Sequence, residues 1–398
     1  MGRPANLMKF LSRPMLRKFF PSRSQSNPKS QVSEPFEWID RQEDLDALVE
    51  FLSDFDEVPL DTEADNMYHY RNRICLFQIK AGERIFLVDM LQGLDMRDLM
   101  EVFRTRLLIM HGSDFDLRLM ADHYDFRPER LFDTMLGAQL LGLPKTGLGG
   151  LVEHYAGVVM PKGHQKSDWS RRPLPEKMLK YAAEDVLYLE EIRHKMLVEL
   201  KKKKRLDWLR QRCEWQIQAA VDGFGERDEN AWRLPGSSRL PPRGQAVLYE
   251  LWQWRERAAE KADLPPFKIL NNNFLVDVAT AAGRGPDADW HKGLPPRLYS
   301  RHRKALEKAV QRGRERDPGT LPRRSNEGRR RQPFSAEELE RQEALREVRD
   351  RKAEKLGIDP SLIANRSQLA VLSRDQSKLD DLLLPWQVEL LRDALGEK

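Results

Sequence analysis

The chain has 398 residues, of which 40% are hydrophobic and 33% are charged, and its formal net charge is +5. This length suits two or three domains, and no stretch approaches the ~20 consecutive apolar residues that a membrane-spanning helix needs. The two cysteines, Cys75 and Cys213, provide neither a disulfide framework nor the spacing of a metal-binding knuckle. Composition therefore excludes membrane-spanning and disulfide-stapled classes, and it permits a polyanionic partner without requiring one.

The N-terminal segment, residues 1–33, is basic and contains seven Lys or Arg but no Asp or Glu. It is also rich in Ser and Pro, a composition typical of a disordered tail. The alternative is an organelle transit peptide, which shares the excess of Arg and Ser and the lack of acids. We expect a cytoplasmic protein with a basic disordered tail, and organelle targeting is the alternative.

Residues 36–215 show a mixture of helical and strand patterns. Apolar spacing predicts a helix over residues 41–55 and then a strand that runs into Asp61. The β-rich runs at 74–79 and 85–88 predict, together with that strand, a three-stranded meander. The apolar run at 107–110 predicts a strand covered on both faces.

Helical patterns follow at residues 115–123, 134–141 and 148–156, and one long helical segment covers 176–206. Strands followed by alternating helices and strands indicate an α/β domain with a mixed sheet. Pro59 cannot donate a ladder hydrogen bond, so we expect it in the first residues of its strand or at a bulge. The run KKKKR at 201–205 is interpreted as a solvated helix end, with an RNA contact as the alternative.

Two C-terminal blocks repeat each other, because residues 251–275 recur in divergent form at 345–369. The repeat predicts two small helical domains, at residues 239–312 and 335–396. At least one of Trp252 and Trp254 is expected in the core of the first domain. Residues 313–334 lie between the blocks, are rich in Arg, Gly and Pro, and predict a solvated basic linker.

Three separate predicted elements each offer an acidic side chain. Asp61 and Glu63 are two residues apart on a strand, so both point to the same face. Asp116 falls in the first turn of the helix after the apolar strand, and Tyr181 and Asp185 share one face of a later helix. Each feature has a structural alternative: an ordinary strand end, an acid favoured by the helix dipole, or a surface pair.

Carboxylates gathered in this way repel each other unless a cation lies between them. Mg²⁺ and similar hard ions prefer oxygen ligands and complete their shells with water and substrate phosphate. Two such ions about 3.5–4 Å apart can activate a water and stabilise the leaving oxygen of a phosphodiester. A phenol close to that water could orient it and, if the phenol's pKa is lowered, accept its proton.

The order and spacing of these residues resemble the DEDD exonuclease superfamily in its tyrosine-containing branch, and within it the ribonuclease D family. The similar stretches cover roughly residues 36–200 and read VPLDTEAD, RICLFQI, HGSDFDLRLM, FDTMLGAQLLG and KSDWSRRPLPEKMLKYAAEDVLYL. LWQWRERAAEKADLPPFKIL resembles an HRDC domain, and the second copy is more divergent. The resemblance implies an α/β fold, with a ribonuclease H-like mixed-sheet exonuclease domain followed by two small all-α HRDC-type domains.

The resemblance also implies the roles of individual residues. It makes Asp61, Glu63, Asp116, Tyr181 and Asp185 catalytic, with the four carboxylates holding two Mg²⁺ or Mn²⁺ ions and Tyr181 positioning the attacking water. All five positions carry the residue that the family requires. The pattern therefore predicts an active enzyme.

Substrate contacts are predicted close to these positions. Lys166, Arg171 and Arg172 precede the catalytic helix and could hold phosphates, with solvated side chains as the alternative. Trp169 could stack on a base or pack beneath its loop. By analogy with the family, Thr62 would touch the terminal nucleotide through its backbone.

The sequence thus predicts a metal-dependent 3′→5′ exoribonuclease that releases nucleoside 5′-monophosphates. The family implies RNA partners, namely tRNA precursors and other structured RNAs with a free 3′ end, and we expect a monomer. One alternative is a DNA exonuclease on the same fold, since the five residues address the phosphate rather than the 2′-hydroxyl. Another alternative is a noncatalytic RNA-binding or scaffold protein.

Overall fold

The computed structural model describes residues 36–161, 163–221, 223–225, 229–285, 287–322 and 333–392. The predicted basic tail at 1–33 lies outside these ranges, as do residues 323–332 of the predicted linker and 393–396 of the predicted second helical domain. Within the described ranges, no helix has the length and apolar character needed to cross a bilayer. Both cysteines are buried free thiols, as expected.

A six-stranded mixed sheet organises the first half of the chain, in the spatial order β1-β4-β3-β2-β5-β6. The strands are β1 (Phe36–Ile39), β2 (Glu57–Ala64), β3 (Ile74–Ala81), β4 (Arg84–Asp89), β5 (Leu107–Met110) and β6 (Arg130–Asp133). The predicted meander is confirmed, because β3 pairs antiparallel with both β2 and β4. The pairs β1–β4, β2–β5 and β5–β6 are parallel.

Eight helices accompany the sheet, and several keep their predicted bounds. They are α1 (Gln42–Leu52), α2 (Arg97–Thr105), α3 (Asp114–Tyr124), α4 (Thr134–Leu141), α5 (Leu148–Ala156), α6 (Glu176–Leu187), α7 (Leu189–Lys202) and α8 (Leu206–Ala220). The single helix predicted over 176–206 was wrong, because the segment is broken at Tyr188 into α6 and α7. Helix α8 packs against β6 and α3, so the first domain extends past residue 215.

Pro59 occupies the third position of β2 and pairs with Ile109 of the parallel strand β5. The antiparallel ladder with β3 begins one residue later, at Leu60. The missing N–H of Pro59 therefore precedes that ladder, as expected for a proline near the start of its strand. The register shift in β2 falls instead between Glu63 and Ala64.

The first helical domain contains α9 (Pro242–Ala262), α10 (Pro266–Ile269), α11 (Asn272–Ala282) and α12 (Pro296–Glu315). Its core extends from Trp232 to Leu321 and includes Trp254, as expected for one of the two tryptophans. The solvated linker predicted from residue 313 was wrong at its start, because α12 continues to Glu315. Arg312 and Arg316 both form ion pairs with the buried Glu250 of α9.

The second helical block contains α13 (Ala336–Leu356), α14 (Arg366–Leu372), α15 (Leu379–Leu382) and α16 (Pro385–Leu391). Helices α9 and α13 both have 21 residues. Arg255 of α9 donates to the Leu270 carbonyl at 3.1 Å, and Arg349 of α13 donates to the Ala364 carbonyl at 3.0 Å. The two blocks thus repeat the same helix and the same contact from an arginine to a backbone carbonyl.

The two helical blocks belong to different hydrophobic cores. Residues of the second block, from Leu345 to Leu391, belong to the same hydrophobic core as the exonuclease-like domain, whereas the first block has its own. Trp208 of α8 stacks on Trp386 of α16 with ring centroids 4.6 Å apart. Arg205, the last residue of KKKKR, is buried and donates to a backbone carbonyl on each side of this junction. It is therefore a structural residue and not a solvated helix end.

Candidate active site

Strand β2 carries the first two acids of the site to the centre of the sheet. Asp61 and Glu63 alternate with Thr62, so both carboxylates lie on one face, as predicted. Asp61 is directly opposite Gln78 of β3. Glu63 is buried and Asp61 is half-buried.

Asp116 comes from α3, in the first turn after β5, as predicted. It is half-buried and accepts a hydrogen bond from the hydroxyl of Thr62, which ties α3 to β2. Ser113 is the N-cap of α3, and the neighbouring Asp114 pairs outward with Arg118 at 3.1 Å. Asp116 is therefore the acid of this turn that reaches the site.

Helix α6 contributes the last two residues of the predicted set. Tyr181 and Asp185 are one turn apart, are 8% and 6% exposed, and are hydrogen-bonded to each other. Helix α6 packs across β2, β3 and β4. It therefore covers the sheet where Asp61 and Glu63 lie.

Burial and mutual repulsion make these carboxyl groups weak acids. Burial, and then the charges of Asp185 and Asp116, raise the pKa of Asp61 well above its usual value. Burial and the neighbouring carboxylates raise the pKa of Glu63 to about 11. Burial also raises the pKa of Asp116 to about 6 and that of Asp185 to about 7. The four groups therefore interact electrostatically, which places them in one site.

Tyr181 departs from one sequence-based expectation. Its pKa is raised, first by burial and then by the charges of Asp185, Glu63 and Asp61. A lowered pKa would have suited the phenol to accept a proton from water. In this environment the phenol keeps its proton and acts as a hydrogen-bond donor.

The donor set suits a hard divalent cation. Within the described ranges, none of the four carboxylates forms an ion pair with Lys, Arg or His. Buried carboxylates without a counter-charge are unfavourable, and oxygen ligands are those that Mg²⁺ prefers. No trio of acidic, histidine or cysteine side chains in the described part of the chain already has the spacing of a completed metal site. A bound ion would have to draw the carboxylates closer together.

Two other acids near the site are structural. Asp65, which follows β2, is fully buried and binds the backbone N–H of Arg73 at 2.8 Å and its Nε at 2.9 Å. Asp133 caps α4 and also accepts hydrogen bonds from Ser113 and Gln216. Because their oxygens are occupied by protein donors, these acids explain the local loop structure rather than the chemistry.

The predicted substrate contacts divide into buried and exposed residues. Trp169 has no exposed surface, and its ring centroid lies 6.3 Å from that of Tyr181. The predicted base stacking on Trp169 was therefore wrong, and the side chain packs beneath its loop, which was the alternative. Arg172 binds both oxygens of Asp89 and the Cys75 carbonyl, so its predicted phosphate role was also wrong. Its guanidinium is committed to the loop structure.

Lys166 and Arg171 are exposed, and for them the phosphate role stays a prediction. The backbone contact predicted for Thr62 likewise stays a prediction, although its side chain is engaged by Asp116. Sequence reasoning missed Gln78, which is fully buried and has neither side-chain nitrogen nor oxygen hydrogen-bonded. The available signal was a single amide within the otherwise apolar run ICLFQI.

Comparison with known proteins agrees with this geometry. Residues 36–201 match the 3′-5′ exonuclease family model, and residues 244–288 match the HRDC domain model. Ribonuclease D of Nitrobacter hamburgensis is 27% identical over 86% of this chain and 90% of its own length. Alignments with two further ribonucleases D cover 64% and 58% of those proteins.

Solved structures show the same architecture. The crystal structure of Escherichia coli RNase D, described as an exoribonuclease involved in structured RNA processing, has a TM-score of 0.68 and 26% identity. The similarity covers 91% of this chain and 97% of that one. The catalytic core of RRP6 from Trypanosoma brucei has a TM-score of 0.60 and 26% identity, over 71% of this chain and 81% of that one.

The fold and the acidic site thus define a 3′–5′ exonuclease followed by an HRDC domain. Such enzymes depend on divalent metal ions, in keeping with the carboxylate donor set described above. The chain is therefore a 3′–5′ exoribonuclease that is similar, over most of its length, to ribonuclease D enzymes.

Proposed function

We propose that Asp61, Glu63, Asp116 and Asp185 bind two Mg²⁺ or Mn²⁺ ions and that the site removes nucleotides one at a time from RNA 3′ ends. The observation that carries this proposal is the electrostatic coupling of four carboxylates from β2, α3 and α6, none of which has a protein counter-charge in the described ranges. A stable site of this kind needs cations to balance it.

In the proposed reaction, water attacks the phosphorus of the terminal nucleotide and the bond to the 3′-oxygen of the preceding nucleotide breaks. The products are a nucleoside 5′-monophosphate and an RNA shortened by one residue, again with a 3′-hydroxyl. When bound, the ions would activate the water and stabilise the leaving oxygen. Tyr181 is held by Asp185 and retains its proton, so its role is to orient the water by hydrogen bonding.

We propose that the substrates are structured RNAs with a free 3′ end, including tRNA precursors. The support is the ribonuclease D family and a division of charge within the chain, with acids at the reaction site and basic residues on α12. Lys166 and Arg171 are exposed in the loop before α6 and would hold phosphates of the incoming strand. The protein would act as a cytoplasmic monomer.

We also propose domain limits that follow the hydrophobic cores and replace the limits predicted from the sequence. The exonuclease domain would span residues 36–220, and the first HRDC domain would span 232–321. Residues 335–396 would form a second HRDC-type domain. The support for that domain is the repeated 21-residue helix, with its arginine bound to a backbone carbonyl.

The decisive test is product analysis on 5′-labelled and 3′-labelled single-stranded RNA in Mg²⁺, Mn²⁺ or EDTA. We expect mononucleotides from the 3′ end with either ion and none in EDTA. Asp116→Asn should lower kcat at least about 100-fold while RNA binding is retained. The matched control is Asp114→Asn, two residues away and paired outward with Arg118, which should stay near wild type.

Three outcomes would contradict the proposal or a part of it. Release of no mononucleotide in any metal would favour a noncatalytic RNA-binding protein. Faster cleavage of a DNA 3′ overhang than of the matched RNA overhang would favour a DNA exonuclease. Equal losses in Asp116→Asn and Asp114→Asn would remove the assigned role of Asp116.

A further inference from the structure

A chain of hydrogen bonds joins the HRDC domain to the two loops beside the active site. Asp263, at the end of α9, contacts Nδ1 of His69 at 2.7 Å. Nε2 of His69 contacts the Ser170 hydroxyl at 2.9 Å, and that hydroxyl donates to Asp168 at 2.5 Å. His69 belongs to the loop 65–73 that follows β2, and Ser170 belongs to the loop 163–170 that precedes α6.

The available protons fix the direction of each bond in this chain. Ser170 has one hydroxyl proton, which it gives to the Asp168 carboxylate, so towards His69 its oxygen can only accept. The Asp263 carboxylate can also only accept. His69 contacts both of these groups, one with each ring nitrogen, and so links the HRDC domain to the loop 163–170.

Both loops adjoin residues of the active site. The loop 65–73 begins two residues after Glu63 and is closed by Asp65, which binds the N–H and the guanidinium of Arg73. The loop 163–170 carries Trp169, which is buried beside Tyr181. A second bond, from the Tyr68 hydroxyl to the Lys166 carbonyl at 2.8 Å, ties the two loops together.

The carboxylate of Asp263 reaches the loop 65–73 from the end of α9. Asp263 ends α9 in the left-handed region, with φ of 47°, where glycine is the favoured residue. At the corresponding end of α13 the second block has Gly357, with φ of 64°. The first domain instead carries an aspartate, which binds His69 and also accepts from the Tyr70 backbone N–H at 3.1 Å.

We propose that His69 is a positioning residue through which the HRDC domain holds Tyr181 in place for hydrolysis. Asp263 fixes His69, His69 fixes Ser170 and Asp168, and this loop packs Trp169 against Tyr181. The inference rests on the proposed role of Tyr181. It gives the HRDC domain an effect on the chemical step in addition to any effect on RNA binding.

The test uses the full chain and a labelled RNA of about five nucleotides, so that RNA contacts with the HRDC domain contribute little. His69→Gln and Asp263→Gly should each lower kcat roughly three- to ten-fold, because small displacements of a catalytic group are costly. KM should change less than about two-fold, and the double variant should be no slower than the slower single variant, since the residues act as one unit. The melting temperature of Asp263→Gly should not fall, because glycine suits its backbone.

Asp125→Gly is the matched control, because Asp125 ends α3 with the same φ of 47° and is exposed. It should keep the wild-type kcat.

The outcomes separate this inference from the proposed function. If the wild type releases no mononucleotide, the proposed function fails first. If the wild type is active and both variants keep kcat within about 1.5-fold, the positioning role is overturned. Additive losses in the double variant, or a loss confined to KM, would also overturn it, since a simple docking contact would behave in that way.

Discussion

At the scale of single residues, the carboxylates of the site hold their protons more tightly than exposed acids do. Burial raises the pKa of Asp116 to about 6 and that of Asp185 to about 7. An unfolded chain would have both near about 3.9. At a pH between the unfolded and the folded pKa values, the folded state therefore binds more protons than the unfolded state. Asp116 and Asp185 thus lower the free energy of unfolding progressively as the pH rises.

This sign gives a prediction for the metal-stripped protein. In EDTA, the melting temperature of the wild type, measured relative to that of Asp185→Asn, should fall as the pH is raised from about 5 to about 8. The variant is the reference because its amide cannot ionise. Added Mg²⁺ should raise the melting temperature of the wild type more than that of the variant, since the ion balances the charge of the carboxylates. Differential scanning calorimetry across pH measures both effects. Parallel pH profiles in EDTA would contradict the raised pKa of Asp185.

Gln78 gives a second prediction at this scale. It is fully buried opposite Asp61, and neither its nitrogen nor its oxygen has a hydrogen-bond partner. An unsatisfied buried polar group costs about 1–3 kcal/mol. Gln78→Leu should therefore raise the free energy of unfolding in EDTA by about 1–2 kcal/mol, as measured by urea denaturation.

The comparison for Gln78 is Gln216, another buried glutamine whose amide does have partners. Its nitrogen donates to Ser113 at 2.8 Å and to Asp133 at 3.0 Å. Gln216→Leu should lower the free energy of unfolding by about 1–3 kcal/mol, because it leaves buried acceptors unsatisfied. A loss of stability in both variants would mean that the Gln78 amide is satisfied in solution.

Sequence reasoning at the residue scale succeeded where spacing along one element carries the information. Asp61 with Glu63 and Tyr181 with Asp185 share faces because strand and helix periodicity place them so. Arg172 could not be assigned in this way, because its partner Asp89 is 83 residues away on β4. Trp169 was ambiguous for the same reason, since its burial depends on α6 packing over its loop.

At the scale of elements, α12 presents a row of cations. Arg297, Arg301, Lys304 and Lys308 are exposed and follow the spacing of one helix face. At 1.5 Å per residue, the row is about 17 Å long. By contrast, Arg303 beside the row is paired with Glu307. These four cations form no ion pair with any residue that the structure describes, and a row of this length suits the phosphates of an RNA strand.

Replacing the four residues of this row by Ala should weaken binding of a structured RNA at least about ten-fold at low salt. The plot of log affinity against log salt should also become less steep, because fewer counterions are released. The control changes four other exposed cations, Lys201, Lys202, Arg351 and Lys355, to give the same net charge. Fluorescence anisotropy measures the RNA affinity of both variants. Equal losses of affinity would show that only the net charge matters.

The elements themselves were predicted best where patterns are long or purely apolar. The bounds of β5, α4 and α5 match the sequence prediction, and α3 differs by one residue at each end. Strands β1 and β6 were missed because each has only four residues and carries charged positions. The break at Tyr188 was missed because the helical periodicity continues through it.

At the scale of the whole molecule, the two helical blocks have different relations to the enzyme domain. The second block shares one hydrophobic core with it, whereas the block that contains the HRDC match has a separate core, from Trp232 to Leu321. The repeat in the sequence predicted two similar domains but could not show this difference. It depends on contacts between distant residues, such as Trp208 with Trp386.

Separate cores predict separate unfolding behaviour. Trp386→Ala should destabilise the shared core by about 3–5 kcal/mol, because Trp386 is 2% exposed and stacks on Trp208. Trp232→Ala should destabilise the HRDC core by a similar amount, since Trp232 has no exposed surface. Each substitution should move a different transition in calorimetry, as expected when two-state behaviour fails in a multidomain chain.

Metal identifies which transition belongs to which core. An ion that binds only the folded site stabilises it by mass action. Mg²⁺ should therefore raise the temperature of the transition that Trp386→Ala lowers, and it should leave the temperature of the other transition unchanged. Asp61→Asn should abolish that rise without moving the HRDC transition. If Trp232→Ala and Trp386→Ala shift one common transition equally, the two cores unfold together. The contacts around Asp263 and His69 would then couple the domains strongly enough to make the folding of the enzyme domain depend on the HRDC domain.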